Sequence, residues 1–599
     1  MLSLFASTTT MFFNMLRYLS FVLAFLFVVA KPVLSKPMPS PVAQVAQPST
    51  TVIPGGSACG QNNATNRACW KNSWNINTDY ETTTPPGTTR NIDLYITNVT
   101  SYSADGVAKR VMLVNGAFPA PPIIANWGDY LDITIHNQLQ DNGTSFHWHG
   151  VRQLNSNDQD GANGVTECPI PPGSSRAYTF RAQQYGTSWY HSHFSVQYGN
   201  GVAGAIVING PAAANYDIDL GPYMITDWYH QTADVLQLKA EQATGPPPPS
   251  DNVLFNGTNI NPSGTGGSYN KVTLTPGKKH LLRLINPSVE NHFTVSLVGH
   301  SFTVIAVDLV PVNPVIKSQL FLGIGQRYDV IIDASQPVGN YWFNATLGGG
   351  GLCGVSNNLY PASIFSYQGA PNTLPTNQGI PITADCHDST GFTPIISRSA
   401  DPSTFAANEK ELSVALTTAV SNRGTIFSWQ VNGSAIDVQW EKPILQYIAE
   451  GNYSFPRAAN VVEITATSGW TYVVLDNTAG LPHPIHLHGH DFLLLGSSDS
   501  GKFNLATDQS KLNFVNPVRR DVAMLPAGWL VIAFQINNPG AWIMHCHIAW
   551  HVSQGLSVQF LELKSQISTA MHLDQVKPTC DAWKAYVPDM KYPKLDSGL

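Results

Sequence analysis

Period-two alternation of apolar and polar residues recurs along the 599-residue chain and constrains its fold more than any other feature. Runs such as YLDITIHNQL, KVTLTPG, FTVSLVGH and WLVIAF alternate in this way, and glycine, proline or asparagine separates them. Residues two apart lie on one face of an extended strand, so each run is typical of a strand with one buried face. Long helical periodicity is scarce. We therefore predict an all-β protein built from β-sandwiches.

The chain is too long for one hydrophobic core, and its length favours two to four domains. Two stretches rich in turn-forming residues, 210–222 and 369–402, mark candidate boundaries. GHSFTVIAVD at 299–308 also resembles GHDFLLLG at 489–496, which indicates degenerate copies of one unit. We predict three similar consecutive domains at 55–212, 213–385 and 410–570, a linker at 386–409 and a C-terminal tail at 571–599.

Residues 1–54 have the pattern of a secretory signal peptide followed by a propeptide or disordered arm. Arg17 precedes the apolar run FVLAFLFVVA at 21–30, which is too short to span a bilayer and favours a signal over a membrane anchor. No later stretch approaches the roughly 18–20 apolar residues that a spanning helix needs. We expect a secreted, extracellular protein without a membrane partner.

Charge and sequons restrict the partners. The formal net charge is -7 and no cluster of lysine and arginine is available to bind phosphates, which argues against a nucleic-acid partner. We expect the protein to be a monomer.

N-glycans are predicted at some of seven sequons, which also support export: Asn63, Asn98, Asn142, Asn256, Asn344, Asn432 and Asn452.

Histidine pairs are more frequent than chance allows. Random placement of 18 histidines in 599 residues gives fewer than one His-x-His pair, whereas the chain has five. A lone histidine is more often structural than a ligand, but five pairs that each share a strand face favour metal binding. The pairs form four clusters: His147 with His149; His191 with His193; His486 with His488 and His488 with His490; and His545 with His547.

Strand parity divides the third and fourth clusters into two groups. His545 and His547 share one face of a strand, while Cys546 points to the other. His483 is an odd number of residues away from His486 and tends to the face opposite to it. One site would comprise His483, Cys546 and the nearby His551, and the opposite side would collect eight histidines, two from each cluster.

The two groups favour copper over zinc. Two histidines with one thiolate are the trigonal donor set of a blue-copper electron-transfer centre. A structural zinc site would have four tetrahedral ligands with CxxC-type spacing, which the sequence lacks. Eight imidazoles exceed what one ion needs but suit a small cluster of copper ions. Because His545 and His547 adjoin Cys546, the sequence predicts a covalent path for electrons between two redox sites.

Seven cysteines in an exported chain allow three disulfides and one free thiol. We expect Cys546 to stay free, because a thiolate that binds a metal must be kept out of a disulfide. The predicted bridges are Cys59–Cys69, Cys353–Cys386 and Cys168–Cys580.

The four clusters lie in long motifs that resemble, in order, those of the multicopper oxidases and of laccases in particular: HWHGVRQLNSNDQDG, GTSWYHSHFSVQYGNG, HPIHLHGH and HCHIAWHVSQGLSV. The similarity extends from about Ala58 to Leu599, and the final DSGL resembles laccases of filamentous ascomycete fungi. It implies three cupredoxin-like, Greek-key domains with a trinuclear copper cluster between the first and the third. The second domain would hold no copper and contribute to the substrate pocket. Many relatives have aspartate where this chain has Asn200, which is not a ligand position.

The resemblance implies four copper ions per chain and a role for each ligand. Type 1 copper would be bound by His483, Cys546 and His551, and type 2 copper by His147 and His486. One type 3 copper would be bound by His149, His191 and His547, and the other by His193, His488 and His545. Leu556 would occupy the axial position of type 1 copper without ligating it. The remaining prominent histidines are interpreted as structural: His230, His280, His292, His300, His387 and His490.

A laccase is the function that the resemblance implies. Phenolic or other aromatic molecules would lose one electron at a time at type 1 copper, and dioxygen would be reduced to water at the cluster. Oxidases of ascorbate, bilirubin or ferrous iron share the ligands and differ in the substrate pocket, so they remain alternatives. A copper-binding cupredoxin protein without catalysis is a further alternative, although every ligand position is occupied.

Two carboxylates are candidates for proton transfer. The resemblance places Glu290 in the substrate pocket near His551, where it would act as a general base toward phenols. It places Asp160 near the cluster, where it would assist the delivery of protons to dioxygen. The alternatives are a solvated loop carboxylate at Glu290 and an ordinary Asp-Gly turn at Asp160.

The C-terminal KLDSGL at 594–599 resembles a plug that enters the channel toward the cluster, although chain ends are usually frayed. Asp596 would then lie beside Ser195 and Ser553 and pass protons along with them. The alternative is that both serines are ordinary turn or packing residues.

Overall fold

The computed structural model of the protein describes residues 59–242, 245–380, 382, 384–421 and 423–599. The predicted signal peptide and propeptide at 1–54 lie outside the described residues. Within the described part of the chain, none of the helices has the length and apolar character needed to cross a membrane.

The first β-sandwich pairs two mixed sheets over an apolar core. Its strands are β1 (Cys69–Lys71), β2 (Trp74–Asn75), β3 (Thr89–Ser103), β4 (Ala108–Val114), β5 (Ala120–Asn126), β6 (Tyr130–Asn137), β7 (Phe146–His149), β8 (Ser175–Arg181), β9 (Gly186–Ser192) and β10 (Ala203–Asn209). The sheets have the orders β4-β3-β6-β8 and β5-β10-β9-β7, and β1 pairs with β2. In β6, Leu131, Ile133 and Ile135 are buried and alternate with more exposed neighbours, as the period-two pattern predicts.

The second β-sandwich has a six-stranded and a five-stranded sheet, in the orders β12-β11-β14-β19-β16-β17 and β13-β21-β20-β15-β18. These strands are β11 (Ile218–Trp228), β12 (Asn252–Phe255), β13 (Lys271–Leu274), β14 (Lys279–Ile285), β15 (Phe293–Leu297), β16 (Phe302–Val307), β17 (Val310–Lys317), β18 (Leu320–Leu322), β19 (Arg327–Asp333), β20 (Asn340–Thr346) and β21 (Ala362–Tyr367).

The third β-sandwich repeats this arrangement, with sheets in the orders β23-β22-β25-β30-β27-β28 and β24-β32-β31-β26-β29. These strands are β22 (Glu409–Ser421), β23 (Gly424–Val431), β24 (Val461–Glu463), β25 (Trp470–Asn477), β26 (His483–Leu487), β27 (Phe492–Ser498), β28 (Arg519–Arg520), β29 (Val522–Leu525), β30 (Trp529–Gln535), β31 (Gly540–Cys546) and β32 (Ser557–Glu562). The predicted all-β class with three cupredoxin-like β-sandwiches is confirmed, while the individual domain boundaries stay predictions.

The helices of the described residues are short and either connect strands or follow the last one. They are α1 (Ala233–Ala240), α2 (Phe405–Asn408), α3 (Ile444–Ala449), α4 (Leu505–Asp508), α5 (Ala549–Ser553), α6 (Ile567–Ala570) and α7 (Val576–Tyr586). Helix α7 packs Trp583 into a core cluster that also contains Phe194 of the first domain and Ile543 of the third. This shared core holds the first and third domains together.

The three predicted disulfides are present and Cys546 is free and buried, which confirms the predicted pairing. The bridge between Cys168 and Cys580 fastens α7 to the first domain.

One turn is repeated in all three sandwiches. Gly150, Gly299 and Gly489 follow β7, β15 and β26 with φ values of 72°, 77° and 70°. This left-handed conformation is accessible to glycine without a steric cost. The same turn therefore follows β7 and β26, which are two of the four strands that carry clustered histidines in the first and third domains.

Candidate metal centres

Two histidines and one cysteine form a compact site within the third sandwich. His483 begins β26, Cys546 ends β31 and His551 lies in α5. The Cys546 Sγ is 3.7 Å from His483 Nδ1 and 3.6 Å from His551 Nδ1, and the two nitrogens are 3.1 Å apart. Strand parity correctly separated these donors from the other histidines.

These donors fit a single metal ion. Two donors bound about 2 Å from one ion lie roughly 3–4 Å from each other. Burial raises the pKa of the Cys546 thiol well above its usual range and lowers the pKa of His483 to about 3. A thiolate at this position therefore needs a cation beside it, and the imidazole of His483 stays neutral and able to bind one.

Eight buried histidines converge between the first and third sandwiches, from the ends of β7, β9, β26 and β31. Three pairs of ring nitrogens face each other: His147 Nε2 and His486 Nε2 at 3.4 Å, His488 Nε2 and His545 Nε2 at 3.3 Å, and His149 Nδ1 and His547 Nε2 at 3.3 Å. Donor atoms of His193 lie within 4.8 Å of those of His488 and His545, and donor atoms of His191 within 4.8 Å of those of His147 and His149.

Hydrogen bonds fix the orientation of the cluster rings. The Nδ1 atoms of four rings each lie 2.8–2.9 Å from a backbone carbonyl oxygen: His147, His191, His486 and His545. In each of these rings the other nitrogen, Nε2, is not held by that carbonyl. His191 Nε2 and His193 Nδ1 are buried and have no hydrogen-bond partner among the described residues. Rings whose outer nitrogen is held in this way are typical of metal ligands.

Burial favours the neutral form of six histidines of the cluster. Desolvation, followed by repulsion from neighbouring histidines, lowers the pKa well below its usual range in His149, His193, His486, His488 and His547. The pKa of His545 falls to about 4, again mainly through burial. Neutral imidazole is the form that binds a metal, so this donor set fits copper ions.

Asp160 contacts two histidines of the cluster. Its Oδ2 atom is 2.8 Å from His488 Nδ1 and its Oδ1 atom is 3.3 Å from His147 Nδ1. The carboxylate is fully buried. The structure therefore places this predicted residue beside the cluster.

Asp521 is a second carboxylate at the cluster, which the sequence did not reveal. Its Oδ1 atom is 3.1 Å from His149 Nε2, and its backbone carbonyl accepts a hydrogen bond from His486 Nδ1 at 2.9 Å. No spacing signal marks it in VRRDVAML, because it contacts His149 across 372 residues of sequence.

The edge of the cysteine site is lined by aromatic residues and by the loop that carries Glu290. The Trp429 ring, another contact that the sequence missed, lies 4.4 Å from the His551 ring and 4.7 Å from the His483 ring, between centroids. Val289 O accepts a hydrogen bond from Ala549 N, in the helix that carries His551. Glu290 Oε2 is buried without a hydrogen-bond partner among the described residues, and burial raises the pKa of its carboxyl group well above the usual range.

The C-terminal tail is ordered against both flanking domains. Ser195 Oγ donates a hydrogen bond to Asp596, and Gly598 O accepts one from Asn163 Nδ2 and one from Trp440 Nε1. Leu599 is buried in the core that the first and third domains share.

Ser553 contacts the tail differently from the prediction. Its carbonyl oxygen accepts a hydrogen bond from Ser597 N at 2.8 Å, while its hydroxyl donates to Trp550 O at 3.0 Å. Its hydroxyl is therefore directed to the backbone of its own helix, and Ser195 is the serine that binds Asp596 through its side chain.

Leu556 and His490 lie next to candidate metal ligands. Leu556 is buried, its carbonyl accepts from Cys546 N, and its amide donates to His551 O. His490 Nε2 lies 3.0 Å from a carboxylate oxygen of Glu562, and both side chains are buried.

Three segments match family models described as multicopper oxidase, at residues 96–213, 219–370 and 429–566. A laccase of Neurospora crassa is 54% identical over 568 residues, covering 91% of this chain and 90% of that protein. The chain belongs to the multicopper oxidase family, as a laccase-type enzyme. Laccase-2 of Podospora anserina is also 54% identical, over 90% of this chain and 89% of that protein.

Solved multicopper oxidases share the fold. The laccase of Botrytis aclada is 39% identical, with a TM-score of 0.83 over 90% of this chain and 99% of that one. A multicopper oxidase that functions in iron import has a TM-score of 0.71 at 23% identity, over 83% and 95% of the two chains, which shows the fold alone. Family membership and the two donor sets together indicate copper as the metal.

Proposed function

We propose that this multicopper oxidase is a secreted laccase that takes single electrons from phenolic or aromatic molecules and reduces dioxygen to water. The observation that carries the proposal is the end of β31. Cys546 belongs to one donor set, while His545 and His547 on either side of it belong to the other. A single peptide unit on each side of Cys546 therefore links the two centres.

The proposed copper assignment is four ions per chain. His483, Cys546 and His551 would hold type 1 copper, and the facing nitrogens of His147 and His486 would hold type 2 copper. The remaining six cluster histidines would hold two type 3 ions, as the two other facing pairs, His488 with His545 and His149 with His547, support. Bound copper would supply one-electron redox chemistry at the first site and activate dioxygen at the second.

Electron entry is proposed at His551. His483 and Cys546 are fully buried, whereas His551 is partly exposed and lies beside Trp429. An aromatic molecule that packs against this edge would reach the metal through a single imidazole. The loop of Glu290 is bonded to the same helix, so its carboxylate would receive the phenolic proton as the electron leaves.

Proton delivery at the cluster is proposed for Asp160. Its carboxylate touches the rings of His147 and His488 and is sealed from solvent. It would hold a proton next to the place where dioxygen is reduced. Asp596, bonded to Ser195 in the ordered tail, would bring protons toward the cluster from the plugged channel.

Secretion and glycosylation complete the proposal. The protein would be an extracellular monomer whose glycans occupy some of the seven sequons. Five of these asparagines are exposed, Asn63, Asn98, Asn256, Asn432 and Asn452, and the other two, Asn142 and Asn344, are partly exposed.

The test is to count copper and to measure oxygen uptake with a phenol, ascorbate and ferrous iron under the same conditions. We expect four copper ions per chain and the fastest uptake with the phenol, with four phenols consumed for each dioxygen. Faster uptake with ascorbate or ferrous iron would replace laccase by another oxidase. Copper binding without any oxygen uptake would leave a cupredoxin protein that does not catalyse oxidation.

A further inference from the structure

The second domain holds none of the proposed ligands, yet its 323–327 loop reaches the cluster. This loop joins β18 to β19 and reads GIGQR. At Gly325, φ is +83°, and an added Cβ atom would lie 3.0 Å from His149 Cε1 and 3.2 Å from His547 Cδ2. The backbone of the second domain is therefore packed directly against two ligands proposed for the same type 3 copper.

Arg327, at the end of this loop, forms a two-pronged ion pair with Asp521 of the third domain. Its Nη1 and Nη2 atoms each lie 2.6 Å from one carboxylate oxygen of Asp521. Both residues are buried. A guanidinium can bind both oxygens of a carboxylate in a fixed orientation, which a lysine ammonium cannot do.

The same Asp521 orients two proposed copper ligands. Oδ1 contacts His149 Nε2 at 3.1 Å, and the backbone carbonyl holds His486 Nδ1 at 2.9 Å. His149 comes from the first domain and is a proposed type 3 ligand. His486 comes from the third domain and is a proposed type 2 ligand. Arg327 thus lies one contact away from both sites.

Arg327 is itself held from two sides. Its backbone amide donates to Asp308 Oδ1 at 2.9 Å, and its Nε donates to Thr187 O at 3.2 Å, in the strand that leads to His191. Its Nη1 atom also donates to Gly325 O at 3.0 Å, so the guanidinium reaches the histidines both through the Asp521 carboxylate and through the loop backbone that packs against His149 and His547. An oxygen of the Asp521 carboxylate lies within 4.8 Å of donor nitrogens of His149 and His486, close enough for the three groups to share a metal ion. Both carboxylate oxygens are, however, already bound by the Arg327 guanidinium.

We propose that Arg327 is a positioning residue through which the copper-free second domain holds the type 2 side of the trinuclear cluster. It fixes the Asp521 carboxylate, whose Oδ1 atom lies 3.1 Å from His149 Nε2 and 3.5 Å from His486 Nδ1. The inference rests on the copper assignment proposed above and adds a function for a domain that has no ligands. Loss of the two-pronged contact would free Asp521 to rotate and loosen type 2 copper first, because His486 is one of only two protein ligands proposed there.

The test compares Arg327→Lys with Arg283→Lys. Arg283 is also buried in the second domain and pairs with Asp219 and Asp329 at 2.7 and 3.3 Å, but the hydrogen bonds of these two carboxylates reach Thr187, Gly221 and Arg283 rather than a proposed ligand. Copper per chain and the type 1 and type 2 signals in electron paramagnetic resonance are followed while a chelator is titrated. Thermal unfolding of the metal-free proteins measures the cost to the fold itself.

Arg327→Lys is expected to weaken type 2 copper binding by about 10–100-fold, the range typical for lost partners of metal ligands, with the type 1 signal kept. Arg283→Lys should retain type 2 copper like the wild type. Equal retention of type 2 copper in Arg327→Lys and wild type would overturn the inference, and so would equal loss in both variants.

Gly325→Ala provides an independent variant, because its added methyl group would press on His149 and His547 rather than remove a charge. It should disturb the type 3 pair while the type 1 signal, which arises within the third domain, shows that the chain is folded. Undisturbed type 3 copper in this variant would count against contact between the loop and the cluster. Wild-type protein that binds no type 2 copper would instead overturn the function proposed above.

Discussion

The second and third sandwiches have the same strand order and opposite roles. The two domains can be aligned by counting back from their turn glycines, Gly299 and Gly489. Phe293 of β15 then occupies the position of His483 in β26, and Ser296 occupies the position of His486. On the neighbouring strand, Ser296 pairs with Asn344 just as His486 pairs with His545. Ala345 then occupies the position of Cys546.

This difference separates the fold from the chemistry. In the second domain Phe293 and Ala345 belong to a continuous apolar core, which stabilises the sandwich without any metal. In the third, a few polar substitutions on the same two strands replace that packing with donors. The scaffold therefore tolerates either solution, and function depends on the residues placed on it.

Removing the thiolate is the strongest way to make the third domain resemble the second. In Cys546→Ala, the type 1 site keeps two neutral imidazoles but loses its only anionic donor, so we expect the blue absorption to vanish and phenol oxidation to fall to background. The cluster histidines should still retain their copper. Visible absorption, copper content and oxygen uptake check this, and persistent blue colour would contradict the assignment of Cys546.

A smaller but substrate-dependent loss is expected for Glu290→Gln. Without a base for the phenolic proton, kcat/KM for phenols should fall by roughly 100-fold. A non-phenolic electron donor should be oxidised at the wild-type rate. Equal losses with both donor types would remove Glu290 from the mechanism.

The pH profile tests the same residue. Burial raises the pKa of Glu290, and a base acts only when deprotonated, so wild-type phenol oxidation should increase as the pH rises through this raised pKa. The increase should be absent in Glu290→Gln. A rise of the same size in the variant would assign it to another group.

Asp160→Asn is expected to act on the cluster and spare the other centre. Asparagine keeps a hydrogen-bonding side chain beside His488 and His147 but cannot hold a transferable proton. Stopped-flow reoxidation by dioxygen should slow by about tenfold, within the range found for partners of metal ligands. Reduction of type 1 copper by a phenol should be unchanged, and normal reoxidation across pH would refute the role.

Deletion of 596–599 tests the tail that packs against the first and third domains. The loss of buried Leu599 should lower the free energy of unfolding by about 2 kcal/mol. Turnover should fall several-fold and the cluster should lose copper more readily, while the blue absorption stays. Full copper content with normal turnover would leave the tail a passive chain end.

The smallest effect is expected for Leu556→Met, a volume-conserving change near Cys546. A weak axial sulfur would stabilise Cu(II) relative to Cu(I) and lower the type 1 potential, on the order of 60 mV or a tenfold change in the one-electron equilibrium. Redox titration measures it. A potential that is unchanged or raised would show that Leu556 serves only in packing.

Features encoded within single strands could be predicted from the sequence. The alternation gave the β-sandwich class, and parity correctly separated Cys546 from His545 because both facts follow from the geometry of one extended segment. Asp521 and Trp429 could not be predicted, since their contacts depend on how separate strands dock. The tail was predicted in part: Ser195 binds Asp596, whereas the hydroxyl of Ser553 bonds within its own helix.

The bridge between Cys168 and Cys580 joins residues that are 412 positions apart in the sequence, one in the first domain and one in the C-terminal tail that follows the third. A site whose ligands come from two domains resembles a complex of two proteins, whose affinity normally depends on concentration. Because both domains belong to one chain, their association is already intramolecular, and the covalent tie shortens the connection between them and raises their effective concentration further. Chelated enzyme with this bridge intact should consequently regain its cluster faster than enzyme in which the bridge has been reduced.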